Sequence, residues 1–564
     1  METNFLFISA AGAPKILSDF IPDNGLGALA GALINEGQTV KILDFNQPSV
    51  FSEVFSEDVK RFLEEFSYNV FIEEKKPSFK QIARLKLAER ALEKNKRAFS
   101  LRLGKYIEEF IERENVKCAG FKLWAGDGFR WSLEAGRYLK KRHPELKIFG
   151  GGPQVDIFGQ EIYRAGDFFD ALCYGEGEET VKLLADFANG RKRLEDIPNV
   201  IFRRDDGSVV KTPRNYIEDM DKLPMPVYTP DVYLNINEKL KMLVLDESRG
   251  CPNSCHFCIH PVKSGKRRSK SASRIIEEIK CGRDKYGIRL FRYAGSNTPA
   301  GLMAEAAEKI INENIDVQYT SFGHINDFDA DFGMLKKSGC ESLFFGLESA
   351  DEAVLEKGMN KKIDLTQAKK IIKNCKEAGI FAVVSVIYPA PFETAGTREK
   401  TIAFLKEAKP DSVLVQFSGI YPGTMWFKHP ERFNFAFDDK ETYPLEVMTY
   451  QIKSLFPPSY WKPLPYRING MPFREFAGET ERFQKDLQKE GIETSISDEA
   501  YLLNKFSGFS SLKEFLNKNR CYFYSGNRKE LEAEIETINY RAKNQSPSLL
   551  GYNKEEFGVN GAGK

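Results

Sequence analysis

Apolar residues fall along this chain in short strand-like runs separated by stretches of helical periodicity. Phe5 to Ile8 is an unbroken apolar run and predicts a buried strand. The turn residues Pro22, Asp23, Asn24 and Gly25 open a helix over 26–36, and the run Val40 to Asp44 predicts the next strand of a βαβ unit. Residues 51–112 are rich in Lys, Glu, Leu and Phe at helical spacing and predict an inserted pair or trio of helices. The βα pattern resumes with a strand over 118–124, a helix over 131–142, a strand over 147–149 leading into Gly150, Gly151, Gly152 and Pro153, and a strand over 171–174 leading into Gly175, Glu176, Gly177 and Glu178. Together these predict an α/β, doubly wound, Rossmann-like domain over 1–195. Its glycines sit at strand C-termini, where such sheets bind ligands.

A hairpin turning at Asp206-Gly207 and the proline-rich run Leu223 to Pro230 make 196–241 a connector, the hairpin read as a packing strap. Over 242–428, strands at 242–245, 288–293, 317–321, 342–345, 381–387 and 412–417 alternate with helices at 273–286, 302–313, 365–379 and 397–409, giving about six βα units. Residues 429–564 are aromatic-rich at first and predicted mainly helical, a substrate or capping domain over the mouth of the preceding one; Tyr460 and Trp461 are its substrate-pocket candidates. The polar, glycine-rich tail after about Asn544 is expected to fray.

Composition narrows the partners. With 82 basic and 81 acidic residues the net charge is +1, which makes no electrostatic case for nucleic acid or an anionic membrane. No apolar stretch approaches the ~20 residues of a membrane span, and the acidic N-terminus lacks a signal cleavage site, so a cytoplasmic protein is expected. Of nine cysteines, six are scattered and read as small buried hydrophobes in a reducing compartment.

The other three, Cys251, Cys255 and Cys258, are spaced C-x3-C-x2-C on a loop announced by Gly250 and Pro252, directly after the apolar run 242–245. Three thiolates without a fourth at ligand spacing leave one iron of a [4Fe-4S] cluster open to another ligand. The rival is a zinc staple in a binding protein, completed by His256 or His260. His256 would have to bend back sharply, and no second Cys/His pair follows at zinc-finger distance. This spacing, with Phe257 before the last cysteine, resembles the radical S-adenosylmethionine superfamily, in which the open iron chelates the methionine moiety.

The resemblance implies a partial (β/α)6 barrel and a set of S-adenosylmethionine contacts. Phe345-Gly-Leu-Glu348-Ser349 resembles the fourth-strand motif, which nominates Glu348 and Ser349. The segment from Ser385 to Pro389, with Glu393 and Thr394, resembles a fifth-strand motif in which Tyr388 and Ala390 replace small residues, and Tyr421-Pro-Gly-Thr424 resembles the end of the sixth strand. Ala294-Gly295-Ser296-Asn297 stands where the family has Gly-Gly-Glu, so the backbone at Gly295 and the Ser296 hydroxyl would hold the methionine ammonium, with His324 facing the carboxylate. Arg267-Arg268-Ser269-Lys270 reads as a solvated face.

Ahead of the loop, Pro22, Gly25-Leu26-Gly27, Gly151-Gly152-Pro153 and Gly175-Glu176-Gly177 resemble in order and spacing the cobalamin-binding domain of cobalamin-dependent radical S-adenosylmethionine enzymes; the plain alternative is sheet-edge turns. The sole histidine of the first 200 residues, His143, reads as a solvated helix C-cap, and no Asp-x-His-x-x-Gly occurs, so no histidine axial ligand to cobalt is expected. The resemblance implies a methyltransferase: cob(I)alamin takes a methyl group from one S-adenosylmethionine, and a second is cleaved to the 5′-deoxyadenosyl radical, which activates an unreactive substrate carbon. It also implies a small-molecule or peptide substrate and an external flavodoxin- or ferredoxin-type electron donor. The alternative keeps both cofactors but performs a rearrangement, cyclisation or oxidation.

Overall fold

The computed structural model describes residues 4–10, 12, 15–295, 297–326, 328–453 and 455–545; the predicted fraying tail beyond residue 545 and Ser296 lie outside them. Strand β1 (Phe5–Ser9) is buried along its whole length and leads through a long loop to α1 (Asn24–Asn35), which Asp23 caps by accepting from the Leu26 N–H. After β2 (Val40–Asp44) come α2 (Pro48–Ser52), α3 (Glu57–Phe71) and the 36-residue α4 (Phe79–Glu114). A Ser78/Gln81 capping box starts α4 and a left-handed Asn115 ends it. The sheet resumes with β3 (Cys118–Lys122), α5 (Asp127–Arg142), β4 (Lys147–Gly151), α6 (Pro153–Phe158), β5 (Ala171–Cys173) and α7 (Glu178–Ala188), then the hairpin β6 (Val200–Arg203) and β7 (Val209–Lys211).

The strand order β2-β1-β3-β4-β5-β6-β7 is parallel through β5 and antiparallel beyond. Between β1 and β3 the order reverses, the point at which a doubly wound sheet opens a ligand crevice. The hairpin is the outer edge of this sheet, so the sheet runs to Lys211, past the boundary expected at residue 195. The proline-rich connector is not a loose tether either. Gly27 leaves room for the Tyr228 ring and Gly31 for the Met225 carbonyl, where an added Cβ would lie 2.6 and 2.2 Å from them, and Val232 and Leu234 pair with the open edge of β2 at Ile42.

The second sheet starts at β8 (Met242–Leu245), beside the two-residue pair β9 (Ser248–Arg249) and β10 (Arg268–Ser269), with α8 (His260–Ser264) between them. Then follow α9 (Ala272–Tyr286), β11 (Leu290–Tyr293), α10 (Ala300–Asn312), β12 (Gln318–Gly323), α11 (Phe332–Lys337), β13 (Cys340–Glu348), α12 (Leu365–Glu377), β14 (Phe381–Ile387), α13 (Ala395–Ala408) and β15 (Ser412–Gln416). Six strands stand in the order β15-β14-β13-β12-β11-β8, all parallel, a barrel left open between its first and last strands.

The last third divides in two. α14 (Met425–Lys428), β16 (Phe435–Phe437), α15 (Tyr443–Met448), β17 (Tyr466–Ile468), β18 (Met471–Pro472) and α16 (Phe473–Lys489) pack an aromatic core onto the strand C-termini, through Ile387, Ala390 and Ile420. α17 (Asp498–Asn504), α18 (Leu512–Ser525) and α19 (Arg528–Asn544) instead fill the opposite end, where Leu502, Leu503 and Phe506 share a core with Met242, Leu290 and Phe381. The expectation that this whole region covers the mouth is thus corrected: the apolar residues at the N-terminal ends of the strands need a cover as much as those at the C-terminal ends.

Candidate functional site

The strand β8 carries the chain straight into Asp246 and Glu247, and β9 hands it on to the cysteine loop. Gly250 at φ +79° allows the turn; a Cβ there would lie 2.3 Å from the Lys266 carbonyl oxygen. Cys251, Cys255 and Cys258 are free and half-buried on this loop. Burial pushes the Cys255 thiol up to about 11 and raises that of Cys258, so these sulfurs stay protonated near neutrality until a metal takes the place of the proton. The backbone N–H of His256 donates to the Met359 carbonyl (2.8 Å), and its ring lies 4.8 Å from that of Phe433, engaged with the C-terminal aromatics. Phe257 packs 5.6 Å from Trp426 in the same cluster.

Two carboxylates flank the loop. Glu348, at the end of β13 with φ +69°, accepts from Lys361 Nζ (2.8 Å) and from Ser385 Oγ of β14 (3.0 Å), so two of the nominated residues meet. Lys361 also donates to the Gly346 carbonyl. Glu247, which sequence reasoning passed over, accepts from the Gly295 N–H (3.0 Å) and Thr298 Oγ (2.7 Å) and thereby fixes the loop after β11. Burial raises its carboxyl to about 7. The cue available in the sequence was a pair of acids prolonging an apolar strand into a carboxyl edge. The remaining candidates lie apart. Ser349 is fully buried and turned to Thr401 of α13 and to the Asp351 N–H, a packing position and not a ligand-facing one. His324 follows β12 with its Nδ1 accepting from the Asn326 N–H (3.4 Å). Thr394 and Thr424 are the N-caps of α13 and α14.

At the carboxyl edge of the first sheet lies a cavity of about 330 Å³. Gly25, Leu26, Gly151, Gly152, Pro153, Gly175, Glu176 and Gly177 line it, and so do Asp246, Arg249, Lys263 and Ser264 of the cysteine loop region. Its floor is a slot between the sheet and helices α1 and α7, walled by Phe5, Phe7, Phe149, Leu29, Val181 and Leu184. Gly120 keeps the slot open, because a Cβ there would stand 3.0 Å from the Phe5 ring. Two candidates fall outside the lining: Gly27 is taken up by Tyr228, and Pro22 is buried before the Asp23 cap. His143 does cap α5, but it is half-buried against Glu108 (3.2 Å), not solvated. Tyr460 is 47% exposed beneath Lys86, Trp461 Nε1 donates to the Phe456 carbonyl (2.8 Å), and neither is in the lining of this cavity.

The two edges are tied together. Arg249, one residue before Gly250-Cys251, bonds Glu178 (Nη1, 3.2 Å) and Asp246 (Nε, 2.8 Å), and Arg268 Nη2 pairs with Glu176 at 2.6 Å. Of the expected solvated face, Arg267 and Ser269 are exposed, but Arg268, whose side chain is 10% exposed, is spent on this contact, and Lys270 is buried against Glu278. Charge pairs so far from water hold their geometry only with the partners they have.

Residues 248–405 match the Radical SAM superfamily. Over 298 residues, 51% of this chain, the sequence is 30% identical to an uncharacterized methyltransferase, PH0819, of Pyrococcus horikoshii, and over 226 residues, 39% of it, 27% identical to the anaerobic magnesium-protoporphyrin IX monomethyl ester cyclase of Synechocystis sp.; the matches span 64% and 45% of those proteins. Among solved structures, the radical S-adenosylmethionine methyltransferase TsrM of Kitasatospora setae, with cobalamin and a [4Fe-4S] cluster bound, superposes over 95% of this chain and 99% of its own at a TM-score of 0.60 and 14% identity, a likeness of fold. Residues 248–405 therefore form a radical S-adenosylmethionine domain, within a chain whose fold as a whole is like that of TsrM.

Proposed function

We propose that this protein is a methyltransferase that uses cobalamin, a [4Fe-4S] cluster and S-adenosylmethionine to place a methyl group on an unactivated carbon of a small-molecule or peptide substrate, with electrons from an external flavodoxin- or ferredoxin-type donor. The observation that carries the reading is the shared cavity: a glycine-lined sheet edge and the residues on either side of the cysteine loop, Asp246, Arg249, Lys263 and Ser264, line one space. The donor sets fit the groups. Three half-buried thiols on one loop, those of Cys255 and Cys258 raised by desolvation, suit a metal cluster that takes up their charge. A slot walled by aromatic and aliphatic residues under a polar rim of Lys122, Glu176 and Arg249 suits a large flat macrocycle with an apolar appendage and amide arms. Bound there, these groups supply homolysis of S-adenosylmethionine and carriage of its methyl group.

The protein's own part is positioning and exclusion of water. Glu348, oriented by Lys361 and Ser385, presents an acceptor for ribose hydroxyls. The Gly295 backbone, fixed by Glu247, presents its carbonyl side to an ammonium. Phe257 and Trp426 close the loop on the side of the C-terminal core.

The test is anaerobic turnover with a chemical or flavodoxin reductant, assaying bound corrinoid and both nucleoside products. Methylation yields S-adenosylhomocysteine together with 5′-deoxyadenosine, and Cys258→Ala brings 5′-deoxyadenosine to background. 5′-Deoxyadenosine without S-adenosylhomocysteine would instead favour the cyclisation or rearrangement reading, to which the resemblance to the cyclase lends weight; absence of corrinoid would overturn both.

A further inference from the structure

A second cavity, of about 360 Å³, lies between the two sheet edges. Gly126 and Gln154 line it from the first sheet, Phe417 and Tyr421 from the segment after β15, and Tyr443 and Tyr466 from the C-terminal aromatic core. Helix α6 is the partition between the two cavities: its Pro153 and Asp156 line the one at the glycine edge, and its Gln154, Ile157 and Phe158 line this one. The segment after β15 runs on to Gly423, where an added Cβ would lie 2.9 Å from Val262, and to Trp426, whose backbone N–H donates to the His256 carbonyl (3.2 Å). One wall of the cavity thus continues into contacts with the cysteine loop, and another is the far face of the helix that bounds the glycine edge.

The lining is aromatic and its charges are matched. The hydroxyls of Tyr443, Tyr450 and Tyr466 are spent on the carbonyls of Ile420, Lys462 and Ser418, so these residues offer rings and not polar tips. Asp127 is answered by Lys96 (2.7 Å) and Arg130, and the exposed Lys15 has the charges of Asp19 and Asp127 beside it. One polar group has no such answer. Gln154, 6% exposed, bonds through its backbone N–H to the Leu123 carbonyl (3.4 Å), while its side chain makes no hydrogen bond among the described residues and its Oε1 is buried. An amide bonded at neither end turns about its last, soft torsion and can face the cavity with oxygen or nitrogen. Kept unbonded, it is costly to a protein that places nothing against it.

We infer that this cavity is the substrate pocket of the reaction proposed above, an inference that rests on that reading, and that it takes an uncharged ring compound whose hydroxyl or N–H group bonds to Gln154. Its volume lies within the ~300–1,000 Å³ usual for small-molecule sites. A charged group would enter at a desolvation cost that no spare counter-charge offsets.

Calorimetric titration of the anaerobically reconstituted full chain with 6-methyl-2-naphthol, its methyl ether and 6-methyl-2-naphthoate tests the class. The naphthol is expected to bind about tenfold more tightly than either of the others. Gln154→Leu brings naphthol and ether to equal affinity and raises the urea midpoint, because it removes a buried amide that bonds to nothing in the fold. Ala125→Trp, which adds bulk at an exposed position of the lining, weakens all three. The pocket's role is read with the naphthol deuterated on its methyl group, in the presence of reductant and S-adenosylmethionine. The 5′-deoxyadenosyl radical takes a deuterium atom from that benzylic carbon and leaves the radical there, so 5′-deoxyadenosine carries deuterium, and Ala125→Trp lowers the labelled fraction. Equal affinity for naphthol and ether in the parent, a lower urea midpoint for Gln154→Leu, or unlabelled 5′-deoxyadenosine from a chain that binds the naphthol would overturn the proposal. No 5′-deoxyadenosine at all would overturn the catalytic reading and with it the pocket's role, while the three affinities still decide the class of ligand.

Discussion

The two sheets end in opposite kinds of edge. The first sheet presents backbone: Gly120, Gly151, Gly152, Gly175 and Gly177 remove side chains where a ligand would lie, and the cavity is held open by what is missing. The barrel presents side chains: Glu348, Lys361 and Ser385 are buried polar groups aimed by one another, and Glu247 is aimed by the Gly295 N–H and the Thr298 hydroxyl. An edge of the first kind accepts a large cofactor with little desolvation cost, and bulk defeats it. An edge of the second kind fixes a small charged ligand with fixed dipoles, and a single lost charge defeats it. The ion pairs from Arg249 and Arg268 to Glu178 and Glu176 are the place where the two kinds meet.

The largest effect should come from breaking the barrel edge. In Glu348→Gln the Lys361 ammonium, on a side chain 8% exposed, keeps its burial and loses its counter-charge. A loss of about 3–5 kcal/mol in unfolding free energy is expected, read from urea midpoints at constant m-value. The double variant Glu348→Gln/Lys361→Met should recover most of it. If the single variant unfolds like the parent, the pair is solvated and the contrast between the edges is wrong.

What sequence could and could not reveal follows the same division. The strands were legible because buried parallel strands are continuous apolar runs, as over Phe381–Ile387, and the thiol loop because its ligands lie within eight residues of chain. The glycine edge was legible in part: spacing flagged Gly151, Gly152, Gly175 and Gly177, but could not tell them from Gly27, which admits Tyr228. The polar edge was not. Arg249 and Glu178 are 71 residues apart and Arg268 and Glu176 are 92 apart, and nothing local in either partner announces the other. Strands as short as Phe435–Phe437 and Met471–Pro472 carry too few positions to show a period, which is why the small sheet within the mainly helical C-terminal region was not legible.

Glu247 offers a sharper probe through pH. Burial raises its carboxyl from 4.5 to about 7, so between those values the folded protein binds a proton that the unfolded chain has released. Stability is then fully present below about pH 4.5, falls as pH rises through that window, and levels off above 7, a change on the order of 3 kcal/mol for this group. Glu393, Glu499 and Glu534 are raised to about 7 in the same way, so the parent protein alone cannot apportion the slope. Comparing it with Glu247→Gln does: the fall between pH 5 and 8 should shrink by that amount in the variant. Parallel pH profiles would mean that the bonds from Gly295 and Thr298 already keep the carboxylate charged.

The smallest effect on stability should accompany the cleanest separation of the edges. Gly120 faces the slot with no positive φ to defend, so Gly120→Val strains no backbone; its cost is the crowding of Phe5 and Phe7, whose rings would lie 3.0 and 3.1 Å from the new Cβ. Overpacking of that kind costs about 1–3 kcal/mol, yet the added methyls occupy the floor of the cavity. Corrinoid captured per chain during anaerobic reconstitution should fall to near zero while iron and sulfide per chain stay at the parental value, because Gly120 is absent from the cysteine loop and from every bond that orients it. Loss of iron together with corrinoid would show that the first sheet's edge and the barrel's edge form one cooperative unit, and the division drawn between a site made of gaps and a site made of charges would have to be abandoned.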